Sequence, residues 1–233
     1  GPDGGSPVLL IAGLALDLTS WSGELIRALA AAGLRVIRLD NRDSGLSTHV
    51  DTPPPSTLRQ ALAITRPQDY DLGDLADDVI GLLDGLGIGR VDLVGMSMGG
   101  MIAQTVAAKA PDRVRSLTSI ISTTGHRRVG QPARSTLIRM AKPAPRTPEA
   151  FVRRHLSALR RLGSPAFPID AEAETRFALA AWQRGRGRSA SAGTARQVAA
   201  IQKSGDRTGQ LRAITAPTLV IHGEHDVMVH PSG

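Results

Sequence analysis

The sequence predicts an α/β protein: a mostly parallel sheet with helices on both faces and a helical segment inserted late in the chain. Three observations carry that expectation. Short, largely apolar runs such as Val8-Leu9-Leu10-Ile11-Ala12 and Val91-Asp92-Leu93-Val94 have the length of strands buried in a parallel sheet. They alternate with amphipathic stretches, and a strand–helix–strand–helix cadence is the pattern of βαβ units. The cadence lapses between residues 125 and 212, where helix candidates occur without a convincing strand. It resumes at Thr218-Leu219-Val220-Ile221.

Taken in order, residues 8–12 are the first strand. Ser20 is placed to cap a helix over residues 21–32, and Gly33 to end it. Residues 36–40 form the second strand, followed by the polar turn Asn41-Arg42-Asp43-Ser44-Gly45-Leu46-Ser47. Residues 49–70 contain Pro53-Pro54-Pro55 and read as a surface excursion. Asp74 is the expected N-cap of the next helix, with Asp77 in its first turn beside the positive end of the helix dipole. Leu75, Val79, Leu82, Leu83 and Leu86 recur at helical spacing and make one apolar face. After the strand at 91–94 and its following helix, Pro111 marks a stop, and residues 114–121 supply another strand.

Within the insertion, Thr147-Pro148-Glu149 is a strong helix start, with proline at the first helical position. Val152, Leu156 and Leu159 line one face of that helix; Arg153, Arg154, Arg160 and Arg161 occupy the other. Residues 172–182 and 194–202 are further helices, separated by the Gly/Arg/Ser-rich stretch 185–193, which reads as a mobile linker. The expected division is therefore a first core part at residues 1–125, a helical cap at 126–212, and a resumed core at 213–233.

Composition narrows the classes. The chain has 233 residues, enough for one sizeable domain with a subdomain, and 41% hydrophobic residues, ordinary for a soluble globular protein. No apolar run approaches membrane-spanning length, no secretory signal is visible, and a cytoplasmic location is the expectation. The absence of cysteine removes disulfides, thiol catalysis and thiolate metal sites. Net charge is +7, but residues 126–212 hold 18 basic against 5 acidic side chains, while residues 1–125 hold 10 against 14. A single-stranded nucleic-acid site would interleave such charge with aromatics, and aromatics are only 3% of this chain. Solvated helix faces explain the arginines; a basic lid that steers an anionic substrate is a further option.

The stretch that carries chemistry is Gly95-Met96-Ser97-Met98-Gly99-Gly100. It follows a strand and precedes the helical run starting at Met101, which is the context required of a G-x-S-x-G nucleophile elbow. A serine hydroxyl attacks only when held exposed beside a base and oxyanion donors. A sharp strand-to-helix turn gives that exposure, and the two flanking glycines allow the backbone to fold so tightly. Ligand sites in open parallel sheets form beyond the carboxyl ends of strands. Ser97, Gly13-Leu14 and Asp226 all follow such ends.

These stretches resemble the α/β-hydrolase superfamily, nearest to its cap-bearing serine esterases of the aclacinomycin methylesterase-like group. The resemblance rests on Leu9-Leu10-Ile11-Ala12-Gly13-Leu14, the turn from Asp40 through Ser47, the elbow, and His222-Gly223-Glu224-His225-Asp226. It implies the α/β-hydrolase fold and hydrolysis of a small-molecule ester through an acyl-enzyme on Ser97, with no cofactor or metal, no nucleic acid and no membrane partner. It also implies that the backbone N–H groups of Leu14 and Met98 form the oxyanion hole and that Asp226, rather than Glu224, is the triad acid. Ala12 stands where the family has a histidine before its glycine, which leaves the backbone donor intact. Other serine-dependent chemistries share the elbow: lactonase, carbon–carbon hydrolase, acyltransferase and perhydrolase. A non-catalytic ligand-binding relative is a further alternative.

The base is the missing piece. Hydrolases of this type run Ser, then Asp or Glu, then His. Only His230 follows Asp226, on the same loop, so the base is expected beyond Gly233 and the sequence is read as a fragment with little turnover. His126 is the remaining candidate for a substitute base. His222 and His225 lack a third ligand with metal-binding spacing.

Overall fold

A computed structural model of the chain describes residues 1, 4–133, 135–136, 145–186 and 190–233, without the side chains of 185, 186 and 190. The strands are β1 (Ser6–Ile11), β2 (Leu34–Leu39), β3 (Val91–Met96), β4 (Val114–Ile120) and β5 (Thr218–Ile221). All pair in parallel, in the order β2-β1-β3-β4-β5. The main helices among the described residues are α1 (Gly23–Ala31), α2 (Thr57–Ala61), α3 (Leu72–Gly85), α4 (Met98–Lys109), α5 (Pro148–Leu162), α6 (Ala171–Ala181), α7 (Ala190–Ser204) and α8 (Thr208–Leu211). The fold is a parallel α/β sheet with helices on both faces, as expected.

Alternation along β1 builds both layers. Leu9 and Ile11 face a core shared with Val79 and Leu83 of α3 and Ile102 and Val106 of α4. Val8 and Leu10 face the other way, against Trp21 and the α1 residues Ile26 and Leu29. A period of two in a strand assigns neighbours to opposite faces, so four consecutive apolar residues, Val8–Ile11, serve two cores. Helix α4 is buried continuously from Met98 through Ala107, which explains its lack of a polar stripe.

Two helix starts differ from expectation by one cap each, and α7 begins at Ala190 rather than at residue 194. Ser22, not Ser20, caps α1, accepting the Leu25 N–H at 3.1 Å. Ser20 instead lies in a single 3-10 turn (Leu18–Ser20) capped by Asp17, which leaves Trp21 extended and buried. Helix α3 is capped by Asp71, and the Asp71 N–H donates in turn to Asp74 Oδ2 at 2.8 Å, making a reciprocal capping box. The first aspartate wins because a start at Leu72 carries that side chain into the core, where it is 1% exposed.

Strand order reverses direction between β1 and β3: β1 leads to β2 on one side, β3 to β4 and β5 on the other. The loops after β1 and β3 therefore part at this point and leave a crevice, the usual ligand position in doubly wound sheets. At the far edge, Leu219, Val220 and Ile221 of β5 are 56%, 64% and 45% exposed. Their apolar run anticipates a strand covered on both faces, but no described element lies over them.

Helices α5, α6 and α7 fall between β4 and β5. Thr147 caps α5, with Pro148 opening the helix, as the sequence anticipates. Helix α5 has no fully buried residue and packs through Phe151 against Trp182, rings 5.5 Å apart. The stretch expected as a linker has helical structure entering from both sides, a π-turn (Trp182–Arg186) and the start of α7. Its middle, residues 187–189, and residues 137–144 of the expected cap lie outside the described residues. Among the described residues no helix is long and apolar enough to cross a membrane.

Candidate active site

Ser97 sits between β3 and α4 at φ +55°, ψ −119°, a conformation costing about 1–3 kcal/mol for a residue with a side chain. Three hydrogen bonds hold it there. The Ser97 N–H donates to Ile120 O at 2.8 Å. Its carbonyl accepts from the Ser122 hydroxyl at 2.8 Å and from the Met101 N–H at 3.1 Å. The glycines are required by close approach: a Cβ on Gly95 would stand 2.2 Å from Gly99 O, and one on Gly99 would stand 2.0 Å from Ile11 O. The half-buried Ser97 hydroxyl has no hydrogen-bond partner among the described residues.

Register explains what lies beside it. Ile11 pairs with Gly95, and Met96 with Ile120, so the chain leaves β1, β3 and β4 at one rim. A Cβ on Gly13 would be 3.2 Å from Ser97 Cβ, which puts the loop after β1 directly against the serine. That loop is pinned on both sides of Leu14. Ala12 O accepts from Asn41 Nδ2 at 2.9 Å; the N–H of Ala15, itself at φ +58°, donates to Gln197 Oε1 at 3.0 Å. Neither the Leu14 nor the Met98 N–H has an acceptor among the described residues.

Asp226 lies at the end of β5, two strands from Ser97. Its Oδ1 accepts from the N–H groups of Met228 and Val229 at 2.7 and 3.0 Å, and Oδ2 is 3.6 Å from His222 Nε2. The structure thus places Ser97, Gly13 and Met98 together, with Asp226 on the same rim but bonded within its own loop. Glu224 and His225 are exposed. His230 faces Ser232 at 2.9 Å, and His126 Nδ1 accepts the Arg128 N–H at 3.2 Å. No histidine hydrogen-bonds Ser97 among the described residues, and those residues contain no three-membered His/Cys/Asp/Glu group able to hold a metal.

Several arginines expected on solvated faces do other work. Arg184, in the π-turn, pairs with Asp40 at 2.9 Å and with fully buried Asp17 at 3.2 Å; the Asp40 hydrogen bond holds it above its ordinary pKa. Arg196 of α7 makes a bidentate pair with Asp43 at 2.8 and 2.6 Å, a carboxylate that Tyr70 also donates to at 2.9 Å. Burial and the Asp43 charge push the Tyr70 hydroxyl's pKa upward. Asp40 accepts the Leu18 and Leu46 N–H groups, and Arg42 ties the turn after β2 to α3 by pairing with Asp78 at 2.6 Å. Sequence reading misses Ser122, Asn41 and Gln197. Ser122 follows a strand end and Asn41 opens the polar turn after β2, whereas Gln197 is an unmarked polar residue within α7.

A parallel sheet reversing beside a serine elbow defines the hydrolase class of α/β folds, and the family comparison agrees. The sequence profile of the alpha/beta hydrolase fold matches residues 6–233; the chain belongs to that family. Over 116 residues it is 38% identical to the rhodomycin D methylesterase DnrP of Streptomyces peucetius, covering 50% of this chain and 35% of that protein. It is 34% identical over 116 residues to the 2-hydroxymuconate semialdehyde hydrolase of Pseudomonas sp. strain CF600, covering 48% of this chain and 35% of that one. The aligned stretches thus span about a third of these relatives. Among solved structures, the enol-lactonase from Burkholderia xenovorans LB400 superposes with a TM-score of 0.65 at 25% identity, covering 99% of this chain and 78% of that chain.

Proposed function

We propose that the protein is a serine hydrolase that cleaves carboxylic esters of small molecules through an acyl-enzyme on Ser97. The observation that carries this reading is the strained Ser97 backbone, braced by three hydrogen bonds and set against the Gly13 loop. Such strain persists only where the surroundings enforce it, and function is the common reason. In this reading Ser97 Oγ attacks the ester carbonyl, and the Met98 and Leu14 N–H groups stabilise the oxyanion. A pair of fixed donors is often the largest catalytic term, about 3–4 kcal/mol each. Asp226 Oδ2 orients the imidazole that serves as base. Helices α5–α7 act as the cap that shapes the acyl or alcohol pocket.

The similarity to a methylesterase favours ester substrates, whereas the muconate-type hydrolase and the lactonase keep carbon–carbon and lactone cleavage as the second reading. A fluorophosphonate probe tests the class. The full-length protein is expected to label at Ser97 and to hydrolyse p-nitrophenyl acetate, with Ser97→Ala removing both. Absence of labelling in folded full-length protein would instead favour a ligand-binding relative.

A further inference from the structure

We infer that Gln197, on helix α7, is a positioning residue for the oxyanion loop and couples that loop to the helical insertion. The inference rests on the serine-hydrolase reading, since it gives the Leu14 N–H its use. Gln197 is 0% exposed, and all of its amide is spent on two loops. Its Oε1 accepts the Ala15 N–H at 3.0 Å. Its Nε2 donates to Arg42 O at 2.9 Å and to Ser44 Oγ at 2.8 Å.

The geometry around Leu14 gives these bonds their meaning. Ala15 holds a left-handed φ of +58°, which a residue with a Cβ adopts only under constraint. The next residue's N–H donates back to Gly13 O at 3.1 Å, closing a tight turn over Leu14. Asn41 fixes the Ala12 carbonyl on one side and Gln197 fixes the Ala15 N–H on the other. The Leu14 peptide between them is thereby oriented, with its own N–H left unspent and Ser97 adjacent through Gly13. A methionine at position 197 would fill the same space while freeing Ala15 to relax. A glutamate would keep an acceptor for Ala15 at the cost of a buried carboxyl group.

Those two variants separate positioning from packing in the active full-length enzyme, with Ser97 occupancy normalised by fluorophosphonate titration. Gln197→Met is expected to lower kcat by about tenfold or more, less than the 10²–10³ lost with a whole oxyanion donor, with KM changed less than twofold. It should weaken a trifluoromethyl ketone inhibitor, which forms the tetrahedral adduct, by a matching factor. Gln197→Glu is expected to be the less stable protein yet the faster one. Kinetics that instead follow stability, with Gln197→Met the faster, would overturn the inference. So would unchanged kcat and inhibition in Gln197→Met, or its failure to fold. Loss of Ser97-dependent turnover in the unmodified enzyme would count against the serine-hydrolase reading itself, and is scored first.

Discussion

At the scale of single residues, the tightest constraint in the molecule is steric. Gly99 lies where a Cβ would stand 2.0 Å from Ile11 O and 2.6 Å from Ala12 O, both backbone atoms with no rotamer to give. Gly99→Ala should therefore destabilise the fold by at least about 2 kcal/mol, read as a shift in urea midpoint. Arg207 presents the opposite problem, a guanidinium 2% exposed. It donates to Met101 O at 3.0 Å, Gln104 Oε1 at 3.0 Å and Thr123 O at 2.6 Å, and burial pushes its pKa down to about 10. Replacing it by methionine strands those acceptors, so Arg207→Met should cost about 2–4 kcal/mol by the same measurement, although it removes a buried charge. The elbow was legible because its logic is local: Gly95, Ser97 and Gly99 sit within five residues. Arg207 and Gln197 were not, because each acts on partners more than 80 residues away, and a polar residue in or beside a helix looks like solvated surface until its neighbours are known.

Elements show the same split between local and distant causes. Two of the helix starts that sequence reading misplaced lie in runs with two eligible caps, Ser20 and Ser22, then Asp71 and Asp74. Local chemistry allows either; burial of Trp21 and Leu72 decides. The box at α3 should be worth measuring: Asp71→Ala removes the acceptor of two backbone N–H groups and should cost about 1–2 kcal/mol. By contrast Lys109–Asp77, at 2.6 Å but with both side chains about half exposed, should give less than about 1 kcal/mol when Lys109 is removed. Strand β5 was located correctly from its apolar run, yet its exposure was not foreseen. A run of four apolar residues reports strand propensity, whereas cover depends on which other elements lie over it.

For the whole molecule, the question is how the helical insertion sits on the sheet. Its two halves differ. Helix α7 brings buried Arg196, Gln197, Ala199 and Ala200 to the core, and Ser204 accepts the Leu72 N–H at 2.8 Å. Helix α5 buries no residue fully and leans on the following π-turn through Phe151–Trp182 and on α6 through the His155–Glu174 pair at 2.7 Å. Local opening should follow that contrast: α5 amides should exchange hydrogen well before those in the second half of α7, as read by mass spectrometry. The fastened half also consumes charge, since Arg184 and Arg196 are neutralised by Asp40 and Asp43. Exposed arginines remain on the looser half, Arg153 and Arg160 among them. If that field draws substrate, its effect is on encounter and is screened over a Debye length of about 8 Å at physiological salt. For the full-length enzyme, kcat/KM toward an ester bearing a free carboxylate should then fall several-fold between about 20 and 200 mM NaCl, while that of its neutral methyl-capped analogue stays within twofold. Arg153→Gln with Arg160→Gln should flatten the first response and leave kcat unchanged. Equal salt responses for the two esters would confine these arginines to solvation of α5.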